Sequence, residues 1–203
     1  MKTRIAVLVS GGGTNLQALI DAQGRGEIPD GEIALVVSNN ADADALQRAA
    51  KAGIPTAVCL REKGAPRADF EAKLLGILRE NHIEMIILAG FMAILTADFV
   101  REFPERIINV HPALIPSFCG EGFYGLRVHR AALDYGVKVT GATVHYVNEI
   151  PDGGRIIAQK AVDVLEGDTP EVLQRRVMEQ AEWILLPQAA ETVAKRIRTE
   201  AEA

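Results

Sequence analysis

The chain has 203 residues, 48% of them apolar and 24% charged, with 22 basic against 27 acidic side chains and a net charge of -5. That size suits one domain, 1–203, with a sizeable core, and the acidic balance argues against nucleic acid as the main partner. No apolar run is long enough to span a bilayer or form a signal segment. The two cysteines, Cys59 and Cys119, have no CxxC partner, which suits a reduced, cytoplasmic protein without structural zinc.

Residues 5–9 are continuously apolar, the pattern of a strand buried on both faces. Ser10-Gly11-Gly12-Gly13-Thr14-Asn15 follows, then Leu16, Ala18, Leu19 and Ile20 at helical spacing: strand, glycine turn, helix. Residues 32–38 form a second strand and 42–52 a helix closed by Gly53. A third strand covers 55–60. Pro66 opens a helix to about residue 80 with Phe70, Leu74, Ile77 and Leu78 on its apolar face. Residues 85–89 are a fourth strand, Thr96 caps a short helix through 102, and 107–111 are a fifth strand. Strands alternating with helices imply right-handed crossovers and a mostly parallel sheet. Residues 117–126 are a loop rich in glycine and aromatic side chains, and 128–135 a helix before Gly136. Residues 137–147 and 155–164 are joined by too short a link for a crossover, so they form an antiparallel edge hairpin. Asp168-Thr169-Pro170-Glu171 starts a helix that carries Leu173, Val177, Ile184 and Leu185 inward. Pro187 kinks or interrupts it, and residues 199–203 are a frayed polar tail. The fold class is α/β: a Rossmann-like open sheet, mostly parallel, with an antiparallel edge hairpin.

Ligands of such sheets bind beyond the carboxyl ends of the strands. The glycine turn lies there. It lets backbone N–H groups meet an anion at a helix N-terminus. GxGxxG counted from Gly11 needs glycine where Leu16 stands, and no Gly-Lys-Ser/Thr follows, so a single phosphate fits better than a dinucleotide. A tight turn without ligand fits as well. On the fifth strand, Asn109 and His111 share a face and Ile108 and Val110 take the other. Asn can donate to a carbonyl oxygen that becomes negative, and His can move a proton near neutrality, so the pair suits acyl transfer. Asp152, before Gly153-Gly154, is the natural third member: a carboxylate beside His111 would raise the imidazole pKa and orient the ring, although the same sequence makes a local turn. Thr143 and His145 alternate on the sixth strand and would hold a water or steady the triad, with a structural role at least as good a reading. His129 is assigned a surface or supporting position, and His82 an exposed one. The four histidines lack metal-ligand spacing. Phe91, Met92, Ala93, Ile94 and Leu95 follow the fourth strand and could line a slot for a flat ring, or simply pack.

The blocks Ser10 to Gln17, Leu88-Ala89-Gly90-Phe91-Met92, Ile108-Asn109-Val110-His111-Pro112, Gly141-Ala142-Thr143-Val144-His145 and Asp152-Gly153-Gly154 occur in one order. Together they resemble the glycinamide ribonucleotide formyltransferases, folate-dependent enzymes of purine synthesis, over nearly the whole chain. The resemblance implies a phosphate-binding half, 1–106, and a catalytic and folate-binding half, 107–203. It implies small-molecule substrates, glycinamide ribonucleotide and 10-formyltetrahydrofolate, the second as a co-substrate with no permanently bound cofactor and no metal. The oligomer would be a monomer or homodimer, without membrane or nucleic-acid partners. Asn109 would bind the formyl oxygen, a protonated His111 would stabilise the oxyanion and supply a proton, and Asp152 would pair with His111. The ribonucleotide would meet Gly12, Gly13, Thr14, Asn15, Gln180 and Glu182, the last two in a register left open by a one-residue length difference. The folate would meet Arg67, Met92, Ala93, Ile94, Leu95, Asn109, Asn148, Glu149, Ile150, Pro151 and Asp152. Some relatives carry Arg where this chain has Ala93. The loop 118–126 is longer than in some members and reads as a lid.

Formyltetrahydrofolate deformylase, a hydrolase, shares the Gly-Ala-Thr-x-His stretch but begins with an extra domain that a first strand near residue 4 leaves no room for. Methionyl-tRNA formyltransferase carries a further RNA-contacting domain. A non-catalytic phosphoribosyl-ligand sensor would have no need for Asn109, His111 and Asp152 together.

Overall fold

The computed structural model describes residues 1–62 and 64–202. Among the described residues seven strands form one sheet in the order β3-β2-β1-β4-β5-β6-β7. They are β1 (Thr3–Val9), β2 (Gly31–Ser38), β3 (Thr56–Val58), β4 (Met85–Leu88), β5 (Ile107–His111), β6 (Val139–Tyr146) and β7 (Ile156–Asp163). The helices are α1 (Thr14–Gly24), α2 (Asp44–Lys51), α3 (Arg67–Glu80), α4 (Ala97–Arg101), α5 (Leu126–Tyr135), α6 (Pro170–Val177) and α7 (Trp183–Glu202). Strands β1 to β5 pair in parallel, while β6 pairs antiparallel with both β5 and β7. The order reverses between β1 and β4, which opens a crevice at their carboxyl ends. Among the described residues no helix is long and apolar enough to cross a membrane.

Strand alternation divides the core into two layers. Ile5, Val7 and Val9 face one side with Ile108, Val110, Ala142 and Val144, under Leu16, Leu173, Leu186 and Val193 of the helices. Ala6, Leu8, Ile86 and Ile107 face the other, under Phe70, Leu74 and Leu78 of α3 and Phe99 of α4. The second layer is thin here: α4 has five residues. The loops holding Phe118, Gly120 and Asp152 meet the end of β5, and Asn109 and His111 project into that region. The short α4 is nonetheless well started, because Thr96 accepts the Phe99 N–H at 3.3 Å and satisfies one of the free donors of the first turn.

Four expectations are corrected. The third strand is short, Thr56–Val58, with Val58 and Leu60 exposed and only Cys59 buried; as an edge strand it has one partner, β2. Ile184 points outward. The helix is continuous through Pro187, and the change in spacing falls earlier, in a π-helical turn at Met178–Glu182. Pro187 has no N–H for the Trp183 carbonyl four residues back, and the wider turn lies directly before that point. The segment 199–202 is helical rather than frayed. Arg198 meets Asp30 at 2.9 Å and Glu202 at 2.9 Å, which holds the last turn against β2's approach. Ala203 lies outside the described residues.

Leu74 is fully buried in the thin layer, so Leu74→Ala should cost about 2–5 kcal/mol. Urea unfolding checks this: the midpoint should fall with little change in slope, and a loss under about 1 kcal/mol would contradict the packing described.

Candidate active site

The glycine turn connects β1 to α1 and is pinned from the side. Ala45 N–H donates to the Gly11 carbonyl at 3.1 Å, and Arg48 Nε donates to the Gly12 carbonyl at 2.7 Å. Gly13 adopts a left-handed φ of 72°, and a Cβ there would lie 2.6 Å from the Ala45 Cβ; only glycine fits. With the carbonyls tied back, the turn borders a cavity of about 350 Å³ together with Thr14, Asn15, Ala89, Gly90, Val110, Pro112, Gly125, Gln174, Met178 and Glu182. Glu182 is buried, its Oε2 accepting from Asn15 Nδ2 at 2.7 Å. Within the π-helical turn Glu182 faces the cavity, while Gln180 is exposed and does not line it. Burial pushes the Glu182 carboxyl up to about 7, against the Asn15 hydrogen bond, which pulls it down.

A second cavity, about 130 Å³, lies on the other side of β5. Leu88, Phe91, Ala93, Ile94, Leu95, Asn109, His145, Val147, Asn148, Glu149, Ile150, Pro151 and Asp152 line it. Met92 is exposed beside it, and Arg67 stands exposed at the start of α3, outside both cavities. The end of β5 therefore separates the two hollows: Asn109 faces one, Val110 and Pro112 the other.

Register brings the polar groups together. Asn109 is paired with His145 and His111 with Thr143, so all four side chains share one face of the sheet. His145 Nδ1 donates to the Tyr146 carbonyl at 2.8 Å. Its Nε2 lies 3.3 Å from Asn109 Nδ2 and faces Asp152 as well, and the amide keeps one further N–H. His111 Nε2 lies 2.8 Å from the Phe118 carbonyl, and its Nδ1 lies 3.4 Å from Asp152 Oδ2. Both neighbours are acceptors, so only the imidazolium satisfies them together. Burial opposes that charge and outweighs the Asp152 carboxylate and the Phe118 carbonyl, so the His111 pKa lies below its ordinary value. The rise expected from Asp152 is present but smaller than the desolvation penalty.

Asp152 is the shared acceptor. Its Oδ1 lies 3.5 Å from His145 Nε2, and its Oδ2 accepts the Gly120 N–H at 2.9 Å. Burial raises its pKa, but His145, His111 and Gly120 together hold it below the usual carboxylate range. Asp152 has a φ of 55°, and a Cβ on Gly154 would lie 1.7 Å from the Tyr146 carbonyl oxygen, so the following glycines are required for the loop to fold back over β6. Thr143 does different work: its hydroxyl donates to the Ala113 carbonyl at 2.7 Å and accepts from Ile115 N–H at 3.1 Å and Gln159 Nε2 at 2.9 Å. It fixes the chain after Pro112 rather than touching Asp152. Among the described residues no group of three or more His, Cys, Asp or Glu is arranged to hold a metal ion.

Of the two positions expected for His129, the surface one is corrected. It is fully buried on α5, and neither ring nitrogen has a hydrogen-bond partner among the described residues. Burial and then the nearby His111 push it down to about 4, so it is neutral near pH 7. The signal was the helical spacing of Val128, His129 and Ala132, all buried.

The formyl transferase family model matches residues 3–189. A phosphoribosylglycinamide formyltransferase of Haemophilus influenzae is 42% identical over 87% of this chain and 81% of its own length. The trifunctional purine biosynthetic protein adenosine-3 of Gallus gallus is 45% identical over 95% of this chain, which spans 18% of that protein's length. The crystal structure of glycinamide ribonucleotide transformylase 1 from Symbiobacterium toebii superposes with a TM-score of 0.89, at 42% identity, covering 96% of this chain and 89% of that one.

Glu182 and His129 make opposite contributions to acid stability. The Glu182 carboxyl, raised from 4.5 to about 7, gives stability that is full below 4.5 and is lost as pH rises through 7. His129, lowered from 6.5 to about 4, gives stability that is present above 6.5 and is lost as pH falls toward 4. Between pH 5 and 6.5 the two slopes, each about 1.4 kcal/mol per pH unit at most, oppose each other. Glu182→Gln should therefore make stability fall more steeply as pH drops from 7 to 5 than it does in the parent. Parallel urea-midpoint profiles for parent and variant would refute this assignment.

Proposed function

The chain belongs to the formyl transferase family, and from that premise we propose that it transfers the formyl group of 10-formyltetrahydrofolate to the amine of glycinamide ribonucleotide in purine synthesis. The observation that carries this reading is the position of β5, with Asn109 on the slot side and Val110 and Pro112 on the glycine-turn side. A phosphate held by the N–H groups of Gly12, Gly13, Thr14 and Asn15 would extend its sugar toward Glu182 and its amine toward the end of β5. A pterin ring in the slot, against Ala93, Ile94, Leu95 and residues 148–152, would place its formyl group from the opposite side. Arg67 and Met92 are then contacts for the exposed parts of the folate.

The amine attacks the formyl carbon, and the carbonyl oxygen becomes an oxyanion. The Asn109 N–H not directed at His145 donates to it. His111, in its imidazolium form beside Asp152, adds positive charge and gives a proton to the departing folate nitrogen; the proton lost by the amine restores the balance. Because burial holds the His111 pKa down, charging it relies on the negative charge that develops in the transition state. Asp152, ionised and shared with His145, is the fixed counter-charge. We read the chain as one formyltransferase domain acting in the cytoplasm on small molecules, without nucleic acid.

The alternative, hydrolysis of the formyl donor, differs in its acceptor. With glycinamide ribonucleotide present, 10-formyltetrahydrofolate should be consumed with matching formylation of the amine; consumption that ignores the amine would mark a hydrolase, and none in either case a sensor. His111→Ala and Asp152→Asn should each lower the single-turnover rate by about 10²–10⁴-fold with folate binding nearly intact. A variant within a few fold of the parent would remove that residue from the proton path.

A further inference from the structure

The crevice between β1 and β4 is crossed by one side-chain hydrogen bond that the mechanism above does not use. Ser10, the last residue before the three glycines, accepts the Met92 backbone N–H on its Oγ at 2.8 Å. Met92 opens the segment whose next three residues line the slot. The far end of that segment is clamped as well: the buried Glu71 carboxylate accepts the Thr96 N–H at 2.7 Å and the Thr96 hydroxyl at 2.5 Å. The slot wall is thus a short span between two fixed points. One is anchored on α3. The other is anchored on the residue that leads directly into the glycine turn.

That second anchor is itself held. The Ser10 carbonyl accepts Asn40 Nδ2 at 3.3 Å, and the carbonyls of Gly11 and Gly12 are tied to α2. A small displacement of the turn on taking up a phosphate has few places to go, because its neighbours on the α2 side are already fixed. The Ser10 hydroxyl is the contact through which it reaches the opposite wall. Strand pairing joins β1 and β4 below this point, through the Ala89 N–H to the Leu8 carbonyl at 3.0 Å, but Ser10 Oγ is the link beyond the strand ends.

We propose that Ser10 is a positioning residue that couples the two cavities, so that a phosphorylated amine in the glycine-turn cavity sets the wall of the folate slot. This rests on the reading given under Proposed function. The coupling cannot exceed what one partly exposed hydrogen bond contributes, which limits it to roughly 3- to 10-fold in affinity. By reciprocity a folate in the slot should tighten the ribonucleotide by the same factor. Ser10 itself lines neither cavity, so its effect would be on the interaction between ligands rather than on either contact alone.

The test uses the full chain with tetrahydrofolate, which has no formyl group to transfer, and glycinamide ribonucleotide. Calorimetric titration gives the affinity of each ligand with and without saturating amounts of the other, for the parent, Ser10→Ala and Ser10→Thr. The parent should bind tetrahydrofolate roughly 3- to 10-fold more tightly in the presence of the ribonucleotide. Ser10→Ala should bring that factor to about one, and Ser10→Thr, which keeps the hydroxyl, should retain it. Equal factors in the parent and Ser10→Ala, no coupling in the parent, or loss of coupling in Ser10→Thr at unchanged thermal stability would each overturn the proposal. A parent that binds neither ligand would instead bring down the functional reading on which it rests. General damage to the fold would weaken both ligands alone and lower the melting temperature, which a lost coupling factor does not require.

Discussion

A carboxylate removed from water costs several kcal/mol unless its oxygens are met by donors or positive charge, and Asp152 is such a group. It sits between two buried imidazoles, with His111 at 3.4 Å and His145 at 3.5 Å, and takes the Gly120 N–H at 2.9 Å. Three separate pieces of chain must come together to supply those partners: the end of β5, the last residues of β6 and the loop after Pro116. Their convergence fixes the shape of the region. The loop 148–154 must fold back for Asp152 to arrive, which the close approach of Gly154 to Tyr146 permits. The Phe118 carbonyl and the Gly120 N–H then bring the glycine-rich loop over the same point.

The sheet prepares the space for this cluster. Because the strand order reverses between β1 and β4, the helices following those strands leave in opposite directions and a crevice remains at their carboxyl ends. On the face of β5 that carries Asn109 and His111, α4 is only five residues long and loops supply hydrogen-bond partners. Polar side chains are tolerated there since loops bring backbone donors and acceptors, which an apolar helix face would not. The opposite face of the same strand, Ile108 and Val110, lies in the helical core. One strand thus serves as core on one side and as a partition between two cavities at its end.

The buried ionisable groups are tuned by the balance of burial against partners, and the balance differs from one to the next. Asp152 is held below the usual carboxylate range, despite burial, by His145, His111 and the Gly120 N–H together. Glu182 has one, the Asn15 amide, and burial wins. His111 has two acceptors, and burial still prevails. His129 has no partner among the described residues and is driven furthest down.

Much of this was legible in the residues. Apolar runs, turn glycines and the Pro170 helix start located the strands and helices, because local sterics and periodicity act over a few residues. Alternation along β5 placed Asn109 and His111 on one face, and alternation along β6 did the same for Thr143 and His145. Other features depended on packing. Whether Ile184 or His129 was inside, where the hydrogen-bond spacing changed in the last long helix, and whether residues 199–202 frayed were all decided by neighbours distant in sequence. The pairing register of β5 with β6, which sets His145 beside Asn109 and leaves Thr143 to hold residues 113–115, belongs to that group, as does the sign of the His111 shift. The sequence by itself determined the order of elements and the chemical types gathered at the strand ends. Tertiary structure decided which of them touch and which are charged, since contact and desolvation depend on the whole surrounding volume, whereas periodicity depends only on the chain.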